Sequence, residues 1–259
     1  VLHPELLPYV SRQWLLDGTS VVVLGYPRAR AEAVREWIAQ SDGVVFSEPN
    51  YCRDKQEGPD DPYFSSSGTW GQDYDDQWAI KRVGFTAGPD SAWSALGPDP
   101  APVTVAVIDT GLDWNHADIS WSRLWRNDAE VPGNGADDDG NGYADDVIGW
   151  DFVEGDGSPW DRDGHGTFVA GVIGAATDNG VGIAGINPHA RIMVLRALNS
   201  FGQTRAAALA EAIVYAADHG ARVVNISAGG SELSRTEQLA VDHAHEQATV
   251  IVVAAGLSA

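Results

Sequence analysis

Hydrophobic positions fall into short blocks of two kinds along most of the chain. The run Val103-Thr104-Val105-Ala106-Val107-Ile108 is β-branched and apolar throughout. It is short enough for a strand buried on both faces of a parallel sheet. Similar runs occupy 191–198, 222–227 and 249–255, and each predicts a buried strand. Between them the spacing changes to that of helices. Over 204–219, Leu209, Ala212, Ile213 and Ala216 share one face, and Gly220 supplies a C-terminal cap. The stretch 232–247 reads as another helix. The small apolar residues from Thr167 to Ala176 predict a helix lying close against the sheet. Strand and helix in alternation predict an α/β fold: a parallel sheet with helical, right-handed crossovers.

The first part of the chain is patterned differently. A strand is expected over 19–24 and a helix over 31–40, with Ala31, Val34 and Ile38 on one face. Gly43 ends that helix, and Val44-Val45-Phe46 predicts a further strand. Residues 52–71 have a linker composition rich in Asp, Gly, Pro and Ser. A short helix is expected at 92–95 and a loop at 97–102. The expected organisation is a small α+β unit over 1–57, followed by the larger α/β part over 58–259.

Two positions in this pattern carry candidate chemistry. His165 sits between Gly164 and Gly166, just ahead of the small-residue helix. A histidine there is held rigidly yet stays reachable, as a general base must be. Taken alone, it reads equally well as a loop histidine before a core helix. Asp109 directly follows the 103–108 strand. Parallel sheets place functional side chains beyond the carboxyl ends of their strands, and a carboxylate buried there needs a partner. His165 is the obvious one. Asp109 would accept the Nδ1 proton, fix the tautomer and stabilise the imidazolium.

A third stretch is acidic. From Asp137, oxygen-bearing residues alternate and Gly142 is at the sixth position, as at the start of an EF-hand calcium loop. The expected ligands are Asp137, Asp139, Asn141, the Tyr143 carbonyl and Asp145. The twelfth residue is Ile148 rather than Glu, so a bidentate ligand must come from elsewhere, with Asp146 the nearest candidate. The plain alternative is a solvated acidic turn. Asp137, Asp138, Asp139, Asp145 and Asp146 would repel one another without a cation, which favours calcium. The remaining histidines are poor ligand candidates. His116 and Asp118 fit a turn after the strand. His243 and His245 are two apart on a helix and face different ways. His3, His189 and His219 fall near a terminus, in loops or at caps.

Composition narrows the setting. The chain has 259 residues and a formal charge of -21, which argues against nucleic acid as a partner. Lysine occurs only at positions 55 and 81. An acidic, lysine-poor surface suits a salty or calcium-rich medium, and codon bias explains it equally well. One cysteine, Cys52, allows no internal disulfide. No apolar run reaches membrane-spanning length. No signal peptide is visible, and the chain starts at Val1, consistent with prior trimming.

The segments VAVIDTGLDWNHADI and DGHGTFVAGVIGA resemble the Asp and His boxes of subtilisin-like serine proteases, in that family's order. The resemblance extends over about residues 21–256. It implies a subtilisin-like sheet flanked by helices, and a triad in which Asp109 and His165 activate a downstream serine against a peptide carbonyl. It implies that Ser227, Ala228, Gly229 and Gly230 line the substrate groove and pair with extended peptide. Residues 1–57 resemble the end of a subtilase propeptide, which in that family chaperones and inhibits the catalytic domain. Asp61-Pro62-Tyr63-Phe64 and Gln77-Trp78-Ala79-Ile80 resemble the start of a mature enzyme, so cleavage is expected between Cys52 and Pro62. Structural calcium, a peptide or protein substrate and a secreted location follow from the same resemblance.

Three departures qualify it. Phe168 replaces a second histidine of the His box, read as a change in packing. Leu257 stands where the family has an oxyanion-binding Asn. Ala259 is reached before any Gly-Thr-Ser-Met-Ala box, and neither Ser258 nor Gly18-Thr19-Ser20 has the right context for a nucleophile. The expectation is a subtilisin-like endopeptidase present as an incomplete zymogen, truncated before its serine and unable by itself to hydrolyse peptides. The alternative is a non-catalytic, calcium-binding pseudoprotease or peptide-binding module. A metal-dependent hydrolase is more distant, because it needs three clustered ligands. Sequence beyond residue 259 would discriminate the first two.

Overall fold

The structure is a computed structural model. It describes residues 12–15, 22–42, 44–45, 59–86, 91–95, 100–230 and 232–255. The chain divides into two compact units, Val1–Lys55 and Gln56–Ala259.

In the first unit, strands β1 (Arg12–Leu15) and β2 (Val22–Gly25) pair antiparallel, with Arg12 opposite Gly25 and Leu15 opposite Val22. The sequence pattern pointed only to the second of these. Helix α1 (Ala31–Ala39) buries Val34, with Ala31 and Ile38 half-buried beside it. The strand expected at Val44-Val45-Phe46 does not form at Val44 and Val45, which are irregular and exposed. Two valines with no burial to gain have no reason to order as a strand. Phe46 lies outside the described residues.

The second unit opens with short helical turns α2 (Pro62–Ser65), α3 (Trp78–Arg82) and α4 (Ala92–Ala95). Phe64, Ile80 and Ala184 form a small core beneath them, closed by Phe85 and Trp93. Its main body is a parallel sheet of β3 (Val103–Asp109), β4 (Gly149–Asp151), β5 (Ala190–Arg196), β6 (Val223–Ile226) and β7 (Val250–Val253), in the order β4-β5-β3-β6-β7. The alternation along β3 splits the core in two. Val105 and Val107 pack with Ile192 and Val194 on the face covered by helix α5 (His165–Gly174). Ala106 and Ile108 pack with Met193 and Leu195 on the face covered by α6 (Ala206–Asp218) and α7 (Arg235–Glu246). Helix α5 lies close to the sheet because Gly166, Ala170, Gly171 and Gly174 form its inner stripe.

The strand expected to be buried over 249–255 is β7, and Val250, Val252 and Val253 are more than half exposed. It pairs with β6 alone among the described residues, so only Ile251 packs against the core. An apolar run reports strand character, not position in the sheet order.

The acidic loop is anchored from below. Tyr215 of α6 is fully buried and donates its hydroxyl to Asp146 Oδ2 at 2.5 Å. Tyr215→Phe is expected to cost about 2 kcal/mol, the scale of a buried hydrogen bond to a charged group. Chemical denaturation of the two proteins side by side measures it, and equal midpoints would dismiss the anchor.

Candidate active site

Asp109 is the last residue of β3, level with Arg196 of β5. Its backbone carbonyl accepts from the N–H of both Ala197 and Leu198, at 3.0 and 3.1 Å. Its side chain is fully buried. His165 is the first residue of α5, and Gly164 caps that helix at φ +106°, a conformation that favours glycine. A Cβ on Gly166 would collide with the Gly111 carbonyl and press on Asp109 Cβ. Glycine there lets the start of α5 close on the end of β3. The outcome is a 2.8 Å hydrogen bond from His165 Nδ1 to Asp109 Oδ1, which also accepts from Thr110 N at 2.8 Å.

The imidazole is half open to solvent, at 48% of its side chain, against a fully buried carboxylate. With Nδ1–H committed to Asp109, Nε2 is left to take a proton. The hydrogen bond to Asp109 raises the His165 pKa above its ordinary 6.5. Partial burial opposes this, and the charges of Asp109, Asp163 and Asp161 assist. Asp109 Oδ2 is buried without a hydrogen-bond partner among the described residues. Among the described residues, no serine hydroxyl bonds to His165.

Asp161 was missed in the sequence. It is buried, and it accepts from Thr110 Oγ1, the amides of Asp163, Gly164 and Thr167, and Thr167 Oγ1. Burial alone would raise its pKa. The Thr167 hydroxyl and the three amides outweigh that and hold it at about 2. A depressed carboxyl stabilises the fold above its ordinary 3.8, and loses that contribution as pH falls toward 2. Asp161→Asn should therefore lower stability at pH 7 and flatten its decline between about pH 4 and pH 2. Urea midpoints at several pH values check this, and parallel curves for the two proteins would refute it.

Strand β6 pairs with β3 up to Ile226 opposite Ile108, so Ser227 leaves the sheet level with Asp109. Ser227 and Ala228 are half-buried, and Gly229 and Gly230 exposed. Among the described residues, no backbone N–H of these four donates to another backbone group. Phe168 is two-thirds exposed. It fills no core position, so packing does not account for it.

Two clusters have the donor chemistry for a hard cation. In the acidic loop, carboxylate oxygens of Asp137, Asp139 and buried Glu130 lie within 4.8 Å of one another. Glu130 was missed, because it precedes the motif. Asn141 is close by, donating to Asp139 and Asp146. Of the other expected ligands, Asp145 and Asp146 accept further hydrogen bonds, and Tyr143, whose carbonyl is the expected ligand atom, is held through its side chain. Asp145 accepts from the amides of Gly133, Asn134 and Gly135. Asp146 is fully buried between Tyr215, Asn127 and Asn141. The Tyr143 hydroxyl bonds Glu211, and its ring packs on Trp150 and Tyr215.

The second cluster has no local motif. Asp60, Asp61 and Asp178 bring carboxylate oxygens within 4.8 Å of one another. Asp61 is fully buried, and among the described residues its Oδ1 has no partner. Burial, with the charge of Asp118, raises its pKa against hydrogen bonds from the backbone of Asp178 and Asn179. An orphaned buried oxygen among like charges fits a cation with oxygen ligands.

A model of the subtilase family matches residues 101–258. The thermophilic serine proteinase of Bacillus sp. (strain AK1) is 34% identical over 229 residues, covering 87% of this chain and 47% of that protein. Thermitase of Thermoactinomyces vulgaris is 34% identical over 198 residues, covering 76% of this chain and 57% of that protein. The chain thus spans about half the length of these relatives. The solved structure of Sphericase aligns with a TM-score of 0.49 at 28% identity, over 61% of this chain and 47% of that one. With the family model covering more than half of its residues, this chain belongs to the subtilase family.

Proposed function

We propose that the protein is a subtilisin-like serine endopeptidase, with His165 as general base and Asp109 as the carboxylate that orients and charges it. The observation that carries this reading is the 2.8 Å bond between a buried Asp109 and a half-open His165 at the carboxyl end of a parallel sheet. A base so held activates a serine hydroxyl, and then returns the proton to the leaving amine. The substrate is a peptide or protein whose extended backbone lies along 227–230, whose amides donate to no backbone group among the described residues, which favours strand addition. Nucleic acid is not expected to bind, given the charge of -21. No helix among the described residues is long and apolar enough to cross a membrane. A secreted location belongs to the same subtilase reading.

Calcium is the structural ion of this reading. Glu130, Asp137 and Asp139 would hold one ion, and Asp60, Asp61 and Asp178 another. It would supply charge neutralisation that fixes both loops. Residues 1–57 act as an inhibitory, chaperoning segment released by cleavage between Cys52 and Pro62. That junction and Leu257 lie largely or wholly outside the described residues.

The test is direct. Protein from the whole reading frame should hydrolyse denatured casein and react with a fluorophosphonate, and His165→Ala should abolish both. Casein hydrolysis that survives His165→Ala would end the proposal.

A further inference from the structure

We propose that Asp161, Thr110 and Thr167 form a positioning clamp that holds His165 on Asp109. This rests on the catalytic reading of that pair. Two hydroxyls cross the junction between β3 and α5 in opposite directions. Thr110, next to Asp109, accepts from the amide of Gly166, next to His165, at 2.9 Å. Thr167, in the first turn of α5, accepts from the amide of Asp113, beyond the end of β3, at 2.9 Å. Each hydroxyl can present its lone pair only if its proton goes elsewhere.

Both protons go to Asp161: Thr110 Oγ1 donates to Oδ1 at 2.9 Å, and Thr167 Oγ1 to Oδ2 at 2.6 Å. One buried carboxylate thus orients both cross-links. It also accepts the amides of Asp163 and Gly164, fixing the loop that delivers His165. The bonds Asp109–Thr110–Gly166–His165–Asp109 close a ring around the catalytic pair. These three are positioning residues, since among the described residues none bonds to the imidazole.

The test follows the His165 ring by NMR in the whole chain, which needs no substrate. The charges facing that ring are Asp109 from β3, with Asp161 and Asp163 from the segment before α5. Thr110→Val removes the hydroxyl, keeps the volume and alters none of them. The expected result is a His165 pKa lower by about half a unit or more, with a broadened Nδ1 proton signal. Thr110→Ser should restore both. A purely structural threonine would lower the melting temperature and leave the ring's titration in place. An unchanged pKa and signal in folded Thr110→Val overturns the clamp. If that variant does not fold, half-buried Thr167→Val takes its place on the same criterion. A protein with no peptidase activity would remove the catalytic reading yet leave this result standing.

Discussion

Asp109→Ala is expected to reduce kcat by about 10⁴-fold, and His165→Ala by about 10⁶-fold, in protein expressed from the whole reading frame. These are typical losses for the orienting carboxylate and the base of an Asp-His-Ser enzyme. The asymmetry has a structural cause. Without His165 nothing accepts the nucleophile's proton. Without Asp109 the base survives, but it loses the 2.8 Å bond that fixes its tautomer and the charge that stabilises its protonated form. The two act as a unit, so the double variant should be little worse than His165→Ala alone. The pH profile supplies a second check. Only neutral imidazole accepts a proton, and Asp109 raises the His165 pKa above 6.5. Activity should therefore rise through an acid limb above pH 6.5, and the residual activity of Asp109→Ala should rise at lower pH. A full-length Asp109→Ala variant with more than a tenth of normal kcat would remove Asp109 from the mechanism.

The second large effect is expected from calcium removal. An ion that binds only the folded chain at a thousand times its dissociation constant adds about 4 kcal/mol. For a domain of this size that corresponds to roughly 8–16 °C in melting temperature. Chelation should produce a drop of that order, reversed by calcium and only weakly by magnesium, which dehydrates reluctantly. Single substitutions separate the two clusters. Asp61→Asn should lower the melting temperature in calcium and raise it in chelator. Without a cation, its buried, unpartnered oxygen is only a liability among Asp60, Asp118 and Asp178. Glu130→Gln should reduce the response from the other loop. A melting temperature indifferent to both calcium and chelator would dismiss both sites.

The sequence by itself determined the parts that rest on local pattern. The apolar run Val103–Ile108, the alternation of strand and helix patterns after it, and the glycines around His165 predicted a parallel α/β sheet with a carboxylate and an imidazole at the carboxyl end of its strands. Each signal occupies a few consecutive residues, because strand period and tight turns are local physics. Tertiary structure alone decided what depends on distant segments meeting. Asp61 joins Asp178 across 117 positions, and Thr110 joins Asp161 across 51. No spacing rule reaches that far. Glu130, rather than Asp145 or Asp146, joins Asp137 and Asp139. Loop closure turned Asp145 toward the amides of residues 133–135, and helix α6 set Tyr215 beneath Asp146. The valines of β7 look like those of β3 in sequence. Among the described residues one strand is the last of the sheet and the other its centre, because strand order is fixed by crossover connections and packing rather than by the residues of the strand itself.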